Sequence, residues 1–275
     1  MISVICAYNN EQTFKTCLLK SLSEQKTNCE IIAIDNTKSR FKSAAEAFNW
    51  GAATAAGDYL MFVHQDIDLY SDSWFDGTEE LLDSLPDLGI AGVAGISEPG
   101  WPSKKRRSYT IHRTTQAQCR NVITHGPQRE RWGTPIQAPE PVQTLDECLV
   151  IIPKSIYKIM QFDEVTCDSW HLYAADYCLS VAELGFGVYA IPRSVYHQSK
   201  GYKEPSTLRT TVALALPEEY YRTLEHVLKK HKDHYKWIHT SVASWNTTYP
   251  LGLQKAKLVI RDFIVSRIFK NSCNG

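Results

Sequence analysis

The sequence predicts an α/β fold, a mostly parallel sheet flanked by helices with a helical C-terminal appendage. Three observations predict it. From residue 2 to residue 96, short apolar runs of strand length alternate with helical patterns, the spacing of right-handed βαβ units. Tyr59 to Val63 is apolar without interruption, as a strand buried on both faces must be. Two of the first three strand-like runs end in an acid, Asp35 and Asp66, at what becomes one edge of such a sheet, where open α/β folds bind ligands.

Ile2 to Ala7 is the first strand, followed by the polar turn Tyr8-Asn9-Asn10-Glu11 and a helical pattern through Phe14, Cys17, Leu18 and Leu22. Glu30 to Ile34 is the second strand. Phe41 to Ala56 is Ala-rich and helical, and Gly57 breaks it before the Tyr59 strand. Trp74 to Leu85 has the spacing of an amphipathic helix and Leu88 to Ile96 that of a buried strand. From Ser97 to Val142 the pattern dissolves into prolines and the basic run Lys104-Lys105-Arg106-Arg107, which predicts a long loop region. Pattern returns at Leu145, with Asp146-Glu147 ahead of the apolar Cys148 to Pro153. Helical spacing follows at Ile156, Ile159 and Met160, and again from Trp170 to a C-terminus at Gly185. Val188 to Ile191 is a last strand, ahead of the polar Val195 to Gly201. The boundaries are therefore 1–201 for an α/β domain (halves 1–96 and 143–201 around the loop 97–142) and 202–275 for a helical C-terminal region.

Chemistry concentrates in His64-Gln65-Asp66-Ile67-Asp68. In an extended chain Asp66 and Asp68 point the same way and could meet one cation; carboxylates favour Mg²⁺ or Mn²⁺, which keep sites free for phosphate oxygens. A solvated turn with incidental acids is the plainer alternative. Asp35-Asn36 could serve a nucleotide or be only a turn signal. Asp176 near a helix start could be only a dipole partner, and His197 an ordinary surface histidine.

Lys plus Arg equals Asp plus Glu, 30 each, so no global basic field points to nucleic acid. Eight cysteines without a Cys-x-x-Cys pair fit buried thiols in a reducing cytoplasm. The chain shows no basic-then-apolar leader and no apolar run of membrane-spanning length, which predicts a cytoplasmic protein, soluble or peripheral.

Taken in order, these motifs resemble the family-two glycosyltransferases of the GT-A, Rossmann-like fold, over roughly residues 1–201. Ile2 to Glu11 is similar to the family's first strand and nucleotide loop, Glu30 to Asn36 to its second. Asn49, Gly51 and Gly57-Asp58-Tyr59-Leu60-Met61-Phe62 lead to the metal motif, and Phe162-Asp163-Glu164 precedes the acceptor-side segment. The resemblance implies donor contacts from Ala7, Tyr8, Asn9, Glu11, Asp35, Asn49, Gln65 and Asp66. It implies Mn²⁺ or Mg²⁺ on Asp66 with His64, Asp68 or His197, the register being either His64-Gln65-Asp66 or Asp66-Ile67-Asp68. The family's Glu-Asp pair before the acceptor-side helix is missing; Tyr173-Ala174 stands in its place. Asp176 is then the first choice of base, with His171 behind it. The implied activity is inverting, metal-dependent transfer from a nucleoside diphosphate sugar, UDP-linked by preference, to a glycan or lipid-linked acceptor in surface polysaccharide synthesis. A catalytically inactive sugar-nucleotide-binding module and a nucleotidyltransferase are the alternatives. In the tail, Glu218 to His239 and Lys255 to Lys270 have helical spacing. The second, basic and amphipathic, either packs on the catalytic domain or rests peripherally on the inner face of an anionic membrane.

Overall fold

A computed structural model of the protein describes residues 1–98, 118–198 and 216–260. Its centre is a seven-stranded sheet in the order Glu140–Pro141, Gly187–Ala190, Leu88–Gly92, Leu149–Pro153, Tyr59–Val63, Ile2–Tyr8, Glu30–Asp35. Five strands run one way; Leu149–Pro153 and Glu140–Pro141 run against them. That reversal matters for chemistry. Leu149 pairs with Val63 and Pro153 with Tyr59, so the start of the reversed strand lies at the edge where Tyr59–Val63 ends. Tyr8 and Asp35, in register with each other, end at the same edge.

The central strand is buried throughout, and its side chains alternate between two layers. Leu60 and Phe62 join Phe48, Tyr157, Phe162, Tyr173 and Tyr177 on one face. Met61 and Val63 join Phe14, Leu18, Leu22 and Trp74 on the other. Each such side chain contributes roughly 1.5–3 kcal/mol on full burial, so this strand is the least movable part of the fold. On the first face lies the helix Ala44–Ala52. It starts later than the apolar pattern because Ser43, in extended backbone, caps it by accepting from Glu46 N at 3.1 Å. On the second face the helical run from Glu11 to Ser23 includes a π-helical stretch, Lys15–Leu19.

Three elements differ from expectation. The helix expected at Trp74 to Leu85 is only Thr78–Asp83, since Gly77 takes a left-handed φ of 65° just before it. The run Leu88 to Ile96 divides: Leu88–Gly92 stays in the main sheet, while Gly95–Ser97 pairs with Gln118–Arg120 and Thr144–Leu145. Gly95 makes that departure possible, because a Cβ there would meet Val142 Cγ1 at 2.5 Å and Ala190 Cβ at 2.8 Å. The described residues of the region 97–142 include the strands Gln118–Arg120, Ile123–His125, Glu130–Trp132 and Glu140–Pro141, each too short to show a period. Residues 99–117, with the Lys104 to Arg107 run, lie outside the described residues.

The C-terminal region packs on the helix Tyr173–Glu183 and the residue before it. Leu224, Val227 and Leu228 of the helix Glu218–His231 meet Leu172, Ala175 and Leu179. That helix ends eight residues earlier than expected, and Trp237–His239 instead pairs with Ser244–Asn246. Residues 251–260 are helical, with Leu258 buried in the same cluster; residues 261–270 of the expected basic helix lie outside the described residues. Among the described residues no helix is long and apolar enough to cross a membrane, and the seven described cysteines are free thiols.

Candidate active site

Beyond Val63 the chain turns, Ile67 N donating to His64 O at 3.3 Å. Ile67–Asp68 then pairs antiparallel with Val195–His197, setting His197 opposite Ile67, and Gln198 N donates to Asp66 O at 2.8 Å. Backbone pairing across some 130 residues of chain thus brings together His64, Asp66 and His197, whose ligand atoms lie within 4.8 Å of one another. His197 Nε2 is 3.2 Å from Asp66 Oδ1, and the His125 ring is 5.2 Å from that of His197. Asp68 is not brought to this cluster. The turn at residues 64–67 breaks the extended geometry that would have aligned it with Asp66, and its Oδ1 accepts from Tyr70 N at 2.8 Å and Ser21 Oγ at 3.4 Å.

Two imidazoles and a carboxylate suit a divalent cation. His197 Nδ1 is buried without a hydrogen-bond partner among the described residues. Burial, then the charge of His197, pushes the His64 imidazole down to about 4, against the opposing pull of Asp66 and Asp146; it is neutral near pH 7 and free to bind metal. Burial pushes the Asp66 carboxyl up, but the hydrogen bond and charge of His197, with the charge of His64, outweigh it and hold Asp66 below its ordinary value. The residues present therefore fit a divalent cation, Mn²⁺ more readily than Mg²⁺, which prefers an all-oxygen shell.

The His64 depression has a measurable consequence. A histidine kept neutral in the fold but protonated at 6.5 when unfolded contributes stability that is lost as pH falls from 6.5 to about 4. The expected loss for this residue is up to about 3 kcal/mol. Calorimetry in EDTA at about pH 7 and about pH 5 should show a smaller drop for His64→Gln than for wild type; equal drops would refute the assignment.

The cluster opens on a cleft of about 740 Å³. Ala7, Asn9 and Gln65 line it on the side of the first strand. Gln65 fastens its loop to theirs, its Oε1 accepting from Asn9 N and Asn10 N at 3.1 and 2.9 Å and its Nε2 donating to Asn9 Oδ1 at 2.8 Å. His171, also in the lining, stands 3.6 Å from Glu219. Burial lowers its pKa, partly offset by Glu219.

Other expected residues are placed elsewhere. Tyr8 stacks on Phe14, ring centres 4.6 Å apart, and Glu11 pairs with Lys15 on the exposed first turn. Asp35 is at the right edge but outside the cleft lining, its Oδ1 accepting from Thr37 N and Oγ1. Asn49 has its amide fully used: Nδ2 donates to Phe162 O and Glu164 Oε1, while Oδ1 accepts from Phe162 N and the Tyr157 hydroxyl. It clamps the Phe162 turn and does not reach the cleft. Asp176 does not face the cleft either. It is 2% exposed and directed at the C-terminal helix, Oδ2 on Lys230 Nζ at 2.8 Å and Oδ1 on His231 Nε2 at 2.9 Å.

The cleft also holds residues that sequence reasoning did not assign to it: Asp146, Glu147, His125, Trp132 and Trp170. The available signal was Asp146-Glu147 ahead of an apolar run, an acid pair flanking a buried strand.

The chain matches the sequence model described as glycosyltransferase like family over residues 3–204. No curated protein matches it in sequence. Among solved structures it is similar to GalNAc-T7 with UDP, GalNAc and Mn²⁺, at 10% identity and a TM-score of 0.52, over 85% of this chain and 51% of that one. It is also similar to the mannosyltransferase PcManGT from Pyrobaculum calidifontis in complex with GDP-Man and Mn²⁺, at 14% identity and a TM-score of 0.51, over 86% of this chain and 65% of that one. The chain thus spans between half and two-thirds of the length of those structures. At these identities the likeness shows the fold, which is GT-A. With the family model covering most of the chain, it belongs to the glycosyltransferase like family.

Proposed function

We propose that the protein is a metal-dependent, inverting glycosyltransferase, moving a sugar from a nucleoside diphosphate sugar, UDP-linked by preference, to a hydroxyl of a glycan or lipid-linked acceptor in surface polysaccharide synthesis. The observation that carries the proposal is the His64, Asp66 and His197 cluster, set at the carboxyl edge of the sheet and opening on the cleft. The UDP or GDP-Man and the Mn²⁺ held by the similar structures support it.

His64, Asp66 and His197 would hold Mn²⁺ or Mg²⁺, which when bound supplies positive charge beside the leaving diphosphate. The donor would lie along Ala7, Asn9 and Gln65, with its nucleoside toward Asp35. The acceptor oxygen attacks the anomeric carbon as the bond to the diphosphate breaks on the opposite face, which inverts that centre. His171 lines the cleft and is within the set able to take the acceptor's proton.

A second reading, a binding module without turnover, is favoured by the absence of any acid at Tyr173, Ala174 or Ala175 and by the withdrawal of Asp176. Thermal shift with UDP, GDP and their sugars, with and without Mn²⁺, tests both, together with release of the diphosphate. The expected result is a melting-temperature rise that needs Mn²⁺ and disappears in EDTA, about 2.7 kcal/mol of added stability at ligand 100-fold above Kd. Equal rises without metal would remove the metal from the proposal. Binding without release would favour the binding module.

A further inference from the structure

Given transfer in this cleft, a group must accept the acceptor's proton. The carboxylates lining the cleft are Asp66, Asp146 and Glu147. Asp66 belongs to the metal cluster, and Asp146 Oδ1 accepts from Cys148 N at 3.0 Å. Glu147 is different: its Oε1 is buried with no hydrogen-bond partner among the described residues. An unpartnered buried carboxylate oxygen keeps its desolvation cost uncompensated, and calls for an explanation in function or in a bound group.

Its surroundings supply one. The helix Tyr173–Glu183 begins with no side-chain cap; its N-cap, Leu172, is held at a left-handed φ of 66°, a conformation that costs free energy in a residue with a Cβ. No N-cap side chain serves the first-turn N–H groups, and the Leu172 and Tyr173 N–H groups pull the Glu147 carboxyl down against its burial. The Tyr173 hydroxyl donates to Glu147 O at 2.9 Å and is 3.4 Å from His64 Nε2. One side chain thus spans from the base of Glu147 to the metal cluster.

We propose that Glu147 is the general base: reached from the reversed strand Leu149–Pro153, it supplies the carboxylate that Tyr173, Ala174 and Ala175 cannot supply from the helix. The proposal rests on the transferase reading above. In the step, the acceptor O–H proton passes to the Glu147 carboxylate, the acceptor oxygen bonds the anomeric carbon, and the electron pair of the breaking C–O bond leaves with the nucleoside diphosphate. Burial and the neighbouring Asp146 charge push the Glu147 carboxyl well above its ordinary range, against the Leu172 and Tyr173 N–H groups, which makes it a stronger proton acceptor once ionised.

The test uses the full chain with Mn²⁺, a panel of UDP-sugars and GDP-mannose, and water as acceptor, reading diphosphate release. Glu147→Gln keeps shape but not basicity. Release should fall by about 10²–10⁴-fold, while Mn²⁺-dependent donor binding and the melting temperature stay at wild-type values. Wild-type release from Glu147→Gln would overturn the role of Glu147 and leave the transferase reading standing. A wild-type protein that binds no donor, or binds without any release, would overturn the transferase reading and Glu147 with it. Should the amide unfold the chain, wild-type kcat/KM at saturating Mn²⁺ decides. It should decline as pH falls through a limb above the ordinary carboxylate value of about 4.3, and a flat profile down to that value would overturn the proposal.

Discussion

Asp66→Ala is expected to abolish manganese-dependent binding of UDP. The carboxylate is the one anionic donor in the His64, Asp66 and His197 cluster, so its removal leaves two neutral or repelling imidazoles and a divalent cation without charge compensation. It also removes the 3.2 Å contact that fixes His197 Nε2. Loss of a group that merely orients a ligand costs about 10–100-fold in metal affinity; loss of the ligand itself should exceed that. The backbone need not move, because Gln198 N still donates to Asp66 O. Calorimetric titration of UDP with Mn²⁺ reads the effect, and an unchanged Kd in the variant would sink the assignment. Asp68→Ala is the internal comparison: its carboxylate serves Tyr70 N and Ser21 Oγ, so Mn²⁺-dependent UDP binding should persist.

What could be read in the sequence, and what could not, follows from the kind of information that patterns hold. Tyr59 to Val63 and the acids after it were legible because full burial demands an unbroken apolar run, and the run's end marks the sheet edge. His197 was expected at the metal only through the family resemblance; by pattern alone it is a polar residue after the last strand, and its meeting with Asp66 depends on antiparallel pairing with Ile67–Asp68, a strand too short to show a period. Glu147 was hidden by direction. Apolar runs do not say which way a strand points, and only the reversal of Leu149–Pro153 against Tyr59–Val63 carries its N-terminal acids to the edge where the parallel strands end. Asp176 shows the opposite case. Its spacing to Gly185 counted helical turns correctly, yet the side on which it lies was written in Leu172 and Leu179, one turn to either side, which pack on the C-terminal helix.

That packing leads to the second large effect, on stability. Asp176→Ala is expected to destabilise the protein by about 3 kcal/mol, the low end for breaking a buried charge pair. Asp176 joins the helix Tyr173–Glu183 to the helix Glu218–His231 through Lys230 at 2.8 Å and His231 at 2.9 Å. Lys230 is held charged against burial by Asp176 first and Asp163 second. Without Asp176 it retains only Asp163, 3.0 Å away, which is why the loss stays at the low end. His231, fully buried, would keep Glu183 on Nδ1 but lose the partner of Nε2. Asp176→Asn retains a hydrogen-bonding group for His231 but not the charge for Lys230, so it should be destabilising by a smaller amount. Denaturant melts read the stability, and diphosphate release per folded molecule reads the chemistry. With the carboxylate facing Lys230 and His231 and absent from the cleft lining, release per folded molecule should stay near wild type in Asp176→Asn. An unchanged melt with collapsed release would instead make Asp176 the base, displace Glu147, and require the helix to turn that carboxylate toward the cleft during the reaction.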